Sequence, residues 1–157
     1  MNPLSFFSPS TFYVRFDASS LSVLDTQTLD EFRDEPLVAT RQGEDGIGRV
    51  VAIGYRAKLV RDRDVVVVNP FAHERLVIHE FEQAEALLRY AIARTTGKVR
   101  MVRPNMVIHP LRQLSSGLSD VERRALQEFA VTAGARAVVV HVGPHLSPEE
   151  AQRLVKT

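Results

Sequence analysis

The stretch Ala137-Val138-Val139-Val140-His141-Val142 restricts the fold more than any other. A nearly unbroken run of β-branched residues reads as a strand, and a strand apolar on both sides is expected at the centre of a sheet covered on both faces. Helical patterns flank it. Upstream, a helix begins after Ser119, with Val121, Ala125, Phe129 and Ala133 expected on its buried side, and Gly134 ends it. Downstream, Ser147 is a natural N-cap, Pro148 suits the first helical position, and Glu149 and Glu150 suit the positive end of the helix dipole. The same alternation starts earlier. A helix is predicted over about 82–94, with Phe81, Ala84, Leu88, Ala91 and Ile92 on one face and Gly97 beyond its end, and then a strand near Met106-Val107-Ile108. Strands separated by helices lie parallel, joined by right-handed crossovers.

The first half carries strands instead. Phe12-Tyr13-Val14-Arg15-Phe16, the small polar turn Asp17-Ala18-Ser19-Ser20, and Leu21-Ser22-Val23-Leu24 read as a hairpin. Leu37-Val38-Ala39-Thr40 and Arg49-Val50-Val51-Ala52-Ile53 flank a turn between Gly43 and Gly48. Val65 to Val68 and Leu76-Val77-Ile78 are two further strand candidates. Strands first and then helix alternating with strand gives an α/β fold, with a mixed sheet flanked by helices.

Its 157 residues suffice for one sizeable core, and 45% hydrophobic against 25% charged residues is the balance of a globular chain. Lys plus Arg number 20 against 19 for Asp plus Glu, so no strong field draws the chain onto nucleic acid. Cysteine is absent, which excludes disulfides and thiolate metal sites and is compatible with a reducing cytoplasm. No stretch approaches the roughly 20 apolar residues of a spanning helix. The start, Met1 to Phe7, lacks the basic n-region of a secretory signal. Leu4, Phe6 and Phe7 could touch a membrane surface weakly, although no Lys or Arg precedes Arg15 to favour it.

Several stretches, in order and over nearly the whole chain, resemble the MreB family of bacterial actin-like, rod-shape-determining proteins. Ser119-Asp120-Val121-Glu122-Arg123-Arg124-Ala125 with Ala133-Gly134-Ala135-Arg136 is similar to the family's T-x-V-E-R-R-A helix and its A-G-A-R ending. Glu85-Ala86-Leu87-Leu88-Arg89-Tyr90 resembles E-x-M-L-R-Y. Glu35-Pro36-Leu37-Val38-Ala39 and Val51 to Lys58 resemble E-P-S-V-V and A-V-G-x-x-A-K, and Arg103-Pro104 resembles the start of the next strand. The resemblance implies the first half of an actin-like, ribonuclease-H-like fold. It is a single domain over 1–157, with about 10–34 and 80–157 forming subdomain IA and about 35–79 a small inserted β-rich subdomain IB. The family's second half is not represented.

An actin-like ATPase grips phosphate through the backbone N–H groups of a Gly-containing hairpin turn. Where the family has D-L-G-T-A-N-T, gapless reading puts Arg15 at the acid and Asp17 at the glycine; a shifted register keeps Asp17 as the acid, with Ala18 and Ser19 in place of the two residues after it. Either way the glycine is lost, and phosphate binding is expected to fail. The E-E-P segment corresponds to Val142-Gly143-Pro144, without its acids. Glu122 stands where the family's Glu orients the attacking water. It is therefore a vestigial catalytic candidate, whose simpler reading is a capping box with Ser119.

His109, His141 and His145 invite a metal, but Gly143-Pro144 breaks the spacing that would aim the latter two at one ion, and none is expected. Arg123, Arg124 and Arg136 read as exposed helix arginines or as a basic spot, and Arg61-Asp62-Arg63-Asp64 as a solvated, self-compensating link or the rim of a contact. The resemblance thus implies a non-catalytic cell-shape interaction protein, without cofactor, cytoplasmic or peripheral to the inner membrane. Its expected partner is itself, as a homodimer, or a full-length actin-like filament protein. The alternative is a residual ATPase that completes its site with another chain.

Overall fold

A computed structural model describes residues 8–96, 102–112 and 116–156; Leu4, Phe6, Phe7 and Gly97 lie outside them. The strands β1 (Thr11–Phe16), β2 (Leu21–Asp25) and β3 (Glu31–Asp34) form a meander, and β4 (Val38–Gln42), β5 (Gly48–Ile53), the single-turn helix α1 (Tyr55–Lys58) and β6 (Val65–Val68) come next. Then come α2 (Phe81–Thr96), β7 (Asn105–Pro110), α3 (Asp120–Thr132), β8 (Ala137–Val140) and α4 (Pro148–Lys156). One sheet has the order β3-β2-β1-β7-β8, with β7 and β8 parallel to β1; the other is antiparallel, in the order β5-β4-β6.

Alternation along β1 sorts the two faces of the larger sheet. Phe12, Val14 and Phe16 enter the main core with Leu87 and Leu88 of α2 and Leu126 and Phe129 of α3. Tyr13 faces the other way, into a smaller cluster with Val107 and with Ala151 of α4. Val38 of β4, together with Phe71 and Val77 from the link between β6 and α2, joins the main core and ties the smaller sheet to the larger. Phe71 packs on Phe16 with ring centroids 4.4 Å apart and on Phe129 at 6.2 Å.

Four readings need correction. Ala137–Val140 is an edge strand, half-exposed, because among the described residues the ladder ends at β8 and only β7 pairs with it. On α3 the buried face is Leu126, Phe129 and Ala130, while Val121, in the first turn, is 79% exposed. Leu76-Val77-Ile78 forms no strand. The amides of Arg75 and Leu76 donate to Nδ1 of His73, which replaces a ladder partner, and Val77 drops into the core. Finally, β3 went unread because Glu31-Phe32-Arg33-Asp34 is mostly charged; it pairs with β2 while Phe32 packs edge-on to Tyr90.

Candidate functional site

The carboxyl ends of β1, β7 and β8 meet at one edge of the larger sheet. Ligands of open α/β sheets sit at such ends. Three features gather there: the turn after β1, the start of α3, and the segment between β8 and α4.

In the turn, the Asp17 amide donates to the Ser20 carbonyl at 3.0 Å and closes the hairpin. Oδ1 of Asp17 accepts from the Ser19 amide at 2.8 Å, the Ser19 hydroxyl at 2.6 Å and the Ser20 amide at 3.0 Å. Burial pushes this carboxyl up, but the Ser19 and Ser20 hydrogen bonds, helped by the charge of Arg33, outweigh it and hold Asp17 below its ordinary value. The amides that could point at a phosphate are therefore donated to the turn's own carboxylate. The Ala18 carbonyl accepts from Nδ2 of Asn69 at 2.8 Å, so a residue just past β6 holds the turn from outside. Arg15 is not part of this cluster. Its Nη2 pairs with Glu31 at 2.7 Å and its guanidinium stacks over the Tyr13 ring, while its Nε is buried without a hydrogen-bond partner.

Glu122 closes the start of α3 in the same manner. Its Oε2 accepts from the Ser119 amide at 2.9 Å, and its own amide donates to the Ser119 hydroxyl at 3.2 Å. This is the capping box read from the sequence. Ser147 and Glu150 repeat it on α4, at 2.7 and 3.1 Å.

The third feature is built on His109, which is 2% exposed and whose ring bridges three elements. Its Nε2 lies 3.0 Å from the Gly143 carbonyl, which can only accept, so Nε2 carries the proton and Nδ1 accepts from the Tyr13 hydroxyl at 2.6 Å. That hydroxyl in turn accepts from the Leu146 amide at 3.1 Å. Burial, above all, and then the neighbouring His141 lower the His109 pKa to about 4, against the Gly143 carbonyl and with small help from His145 and Arg15. Burial also raises the pKa of Tyr13, which remains a donor. His141 and His145 stand 4.7 and 5.6 Å from His109 between ring centroids. His141 directs Nε2 at the Pro144 carbonyl, 2.9 Å away. Among the described residues no group of three or more His, Asp or Glu is placed to hold a metal.

A cavity of about 510 Å³ opens beside this segment, with His109, Arg112, Gly117, Leu118, Gly143 and His145 in its wall. A shallower hollow of about 480 Å³ lies against Asp17, Ser19, Phe71 and His73. Arg112 separates the two, donating to the His73 carbonyl. Glu122 lines neither. Sequence reasoning singled out Asp17, Ala18, Ser19 and Glu122 but missed Tyr13, Asn69 and Arg112. Tyr13 is joined to His109 across a parallel register, which no local pattern announces. The three arginines stay apart: Arg123 reaches the Val140 carbonyl at 3.4 Å, Arg124 lies 3.6 Å from Glu128, and the Arg136 amide donates to Pro104.

Known proteins share the fold. The family model described as MreB/Mbl protein matches residues 32–147. The cell shape-determining protein MreB of Haemophilus influenzae is 32% identical over 130 residues, covering 79% of this chain and 35% of the relative. That of Pasteurella multocida is 33% identical over 129 residues, with the same coverage. The chain thus spans 35% of the length of these relatives. In structure it is similar to MreB 5 of Spiroplasma citri bound to AMPPNP, with a TM-score of 0.69 at 17% identity, covering 86% of this chain and 39% of that one. It is also similar to the MamK double helical filament, with a TM-score of 0.63 at 15% identity over 87% of this chain and 41% of that one. At these identities the likeness is one of fold.

Proposed function

The chain belongs to the MreB/Mbl family, and from that premise we propose that it is a non-catalytic interaction protein of the bacterial cell-shape cytoskeleton that does not hold ATP on its own. The observation that carries this reading is the occupied turn. A phosphate bound there would have to displace the Asp17 carboxylate from the Ser19 and Ser20 amides, and would then face a like charge. Glu122, the one retained catalytic candidate, spends its Oε2 on the Ser119 amide and hydroxyl, which supports a capping role. Its partner on this reading is a second copy or a full-length actin-like filament protein.

A second reading, a nucleotide site completed by another chain, is favoured by the cavity beside Gly117 and Gly143, which is of ligand size. Calorimetric titration with Mg-ATP separates the two. The chain alone is expected to give no heat of binding, and its mixture with a full-length actin-like partner no more than that partner gives by itself. Saturable binding by the chain alone would overturn the first reading, and binding in the mixture beyond that of the partner by itself would establish the second.

A further inference from the structure

A sheet edge exposes unpaired N–H and C=O groups that another strand can take up, and proteins guard such edges with charges, bulges or covering groups. The two sheets have four edges among the described residues. In β3 the edge carries Glu31, Arg33 and Asp34. On β5 it carries Arg49, and a register shift opposite Ala39 and Thr40 breaks the ladder. Along β8 the guanidinium of Arg123 reaches the Val140 carbonyl. The fourth edge, β6, is Val65-Val66-Val67-Val68, with no charge, proline or bulge within it, and among the described residues its only ladder partner is β4. Its central residues are open, Val66 at 61% and Val67 at 42% exposure.

We infer that β6 is a docking edge for a second copy of this chain, paired antiparallel about a two-fold axis. The inference rests on the interaction-protein reading and names the surface that reading lacks. An edge that shows valine on both faces offers no pocket or charge with which to select a foreign peptide, whereas it matches itself: antiparallel β6 strands set valine against valine, and β-branched cross-strand pairs are favourable. Charge permits the approach. Asp62 and Asp64, just before the strand, are both held by Arg41 of β4, at 2.5 and 3.0 Å, so the pairing brings together no uncompensated carboxylates. The register is continuous too, since Val66 stands beside Thr40 and Thr40 beside Val50; two copies would extend one partly apolar row across six strands. A strand of four residues buries far less than the roughly 1,200 Å² at the low end of stable interfaces, so the dimer is weak and reversible.

Sedimentation equilibrium up to millimolar concentration, with amide exchange on the same samples, tests the pairing. The unmutated chain is expected to dimerise reversibly, with exchange at Val65–Val68 slowing as concentration rises. Val66→Lys is expected to weaken association tenfold or more at unchanged thermal stability, because two lysines meet at the axis. Mixing Val66→Lys with Val66→Glu is expected to restore it. Val50→Lys, equally polar and on the same face but on the guarded edge, should leave it intact. A strict monomer, an equal effect of Val50→Lys, or no rescue in the mixture would overturn the pairing. None of these results bears on Mg-ATP binding, so failure of the edge and failure of the non-catalytic reading are read by separate measurements.

Discussion

The Tyr13 hydroxyl accepts a hydrogen bond from the Leu146 amide and donates one to Nδ1 of His109, whose other ring nitrogen donates to the Gly143 carbonyl. The Tyr13 hydrogen bond holds only while Nδ1 is unprotonated, and burial, above all, keeps the imidazole neutral. The folded pKa is about 4 against an ordinary value of 6.5. Between those values the unfolded chain binds the extra proton, so stability rises with pH there. The contribution is fully present above 6.5 and is lost as pH falls toward about 4. Urea denaturation across that window is expected to show stability falling by up to about 1.4 kcal/mol per pH unit. In His109→Gln the titrating group is gone, so this fall should flatten; an unchanged profile would remove His109 as its cause.

At the scale of elements, α3 separates two effects that the sequence merges. Leu126 is fully buried with Phe129 and Ala130, while Val121 stands out from the first turn. Leu126→Ala is therefore expected to cost about 2–5 kcal/mol through the cavity it leaves, whereas Val121→Ala should stay within about 0.5 kcal/mol. Ser119→Ala, which opens the capping box, falls between them at about 1 kcal/mol. Denaturant midpoints rank the three, and an order with Val121 first would restore the face read from the sequence. The helix was legible because its period, cap and Gly134 terminator are local. Its facing was not: Val121, Ala125 and Phe129 satisfy helical spacing as well as Leu126, Phe129 and Ala130 do, and only the sheet beneath decides between two stripes so close in angle.

Over the whole molecule, the two sheets are joined where Phe71 packs against both Phe16 of β1 and Phe129 of α3, whose rings also touch each other, with Asn69 holding the Ala18 carbonyl nearby. Phe71 belongs to the link that leaves β6, yet its side chain completes the core under the larger sheet. Phe71→Ala is expected to cost about 3–5 kcal/mol. It should also loosen the smaller sheet first, seen by hydrogen exchange as faster amides in β4–β6 than in β1 and β7. Uniform acceleration across both sheets would mean that they unfold as one unit whatever the contact at Phe71.

Local physics in the sequence determined the strands with β-branched alternation, the helices with their caps at Ser119 and Ser147, the family, and a turn at Asp17–Ser20 that contains no glycine. These depend on neighbours a few residues apart, and a single chain displays them. The tertiary structure alone decided that Ala137–Val140 is an edge, that Arg15 pairs with Glu31, that Tyr13 and His109 share a hydrogen bond, and that β6 is left uncovered. Each of these depends on which strands become neighbours and in what register, and that is set by how the whole chain packs, not by any segment within it.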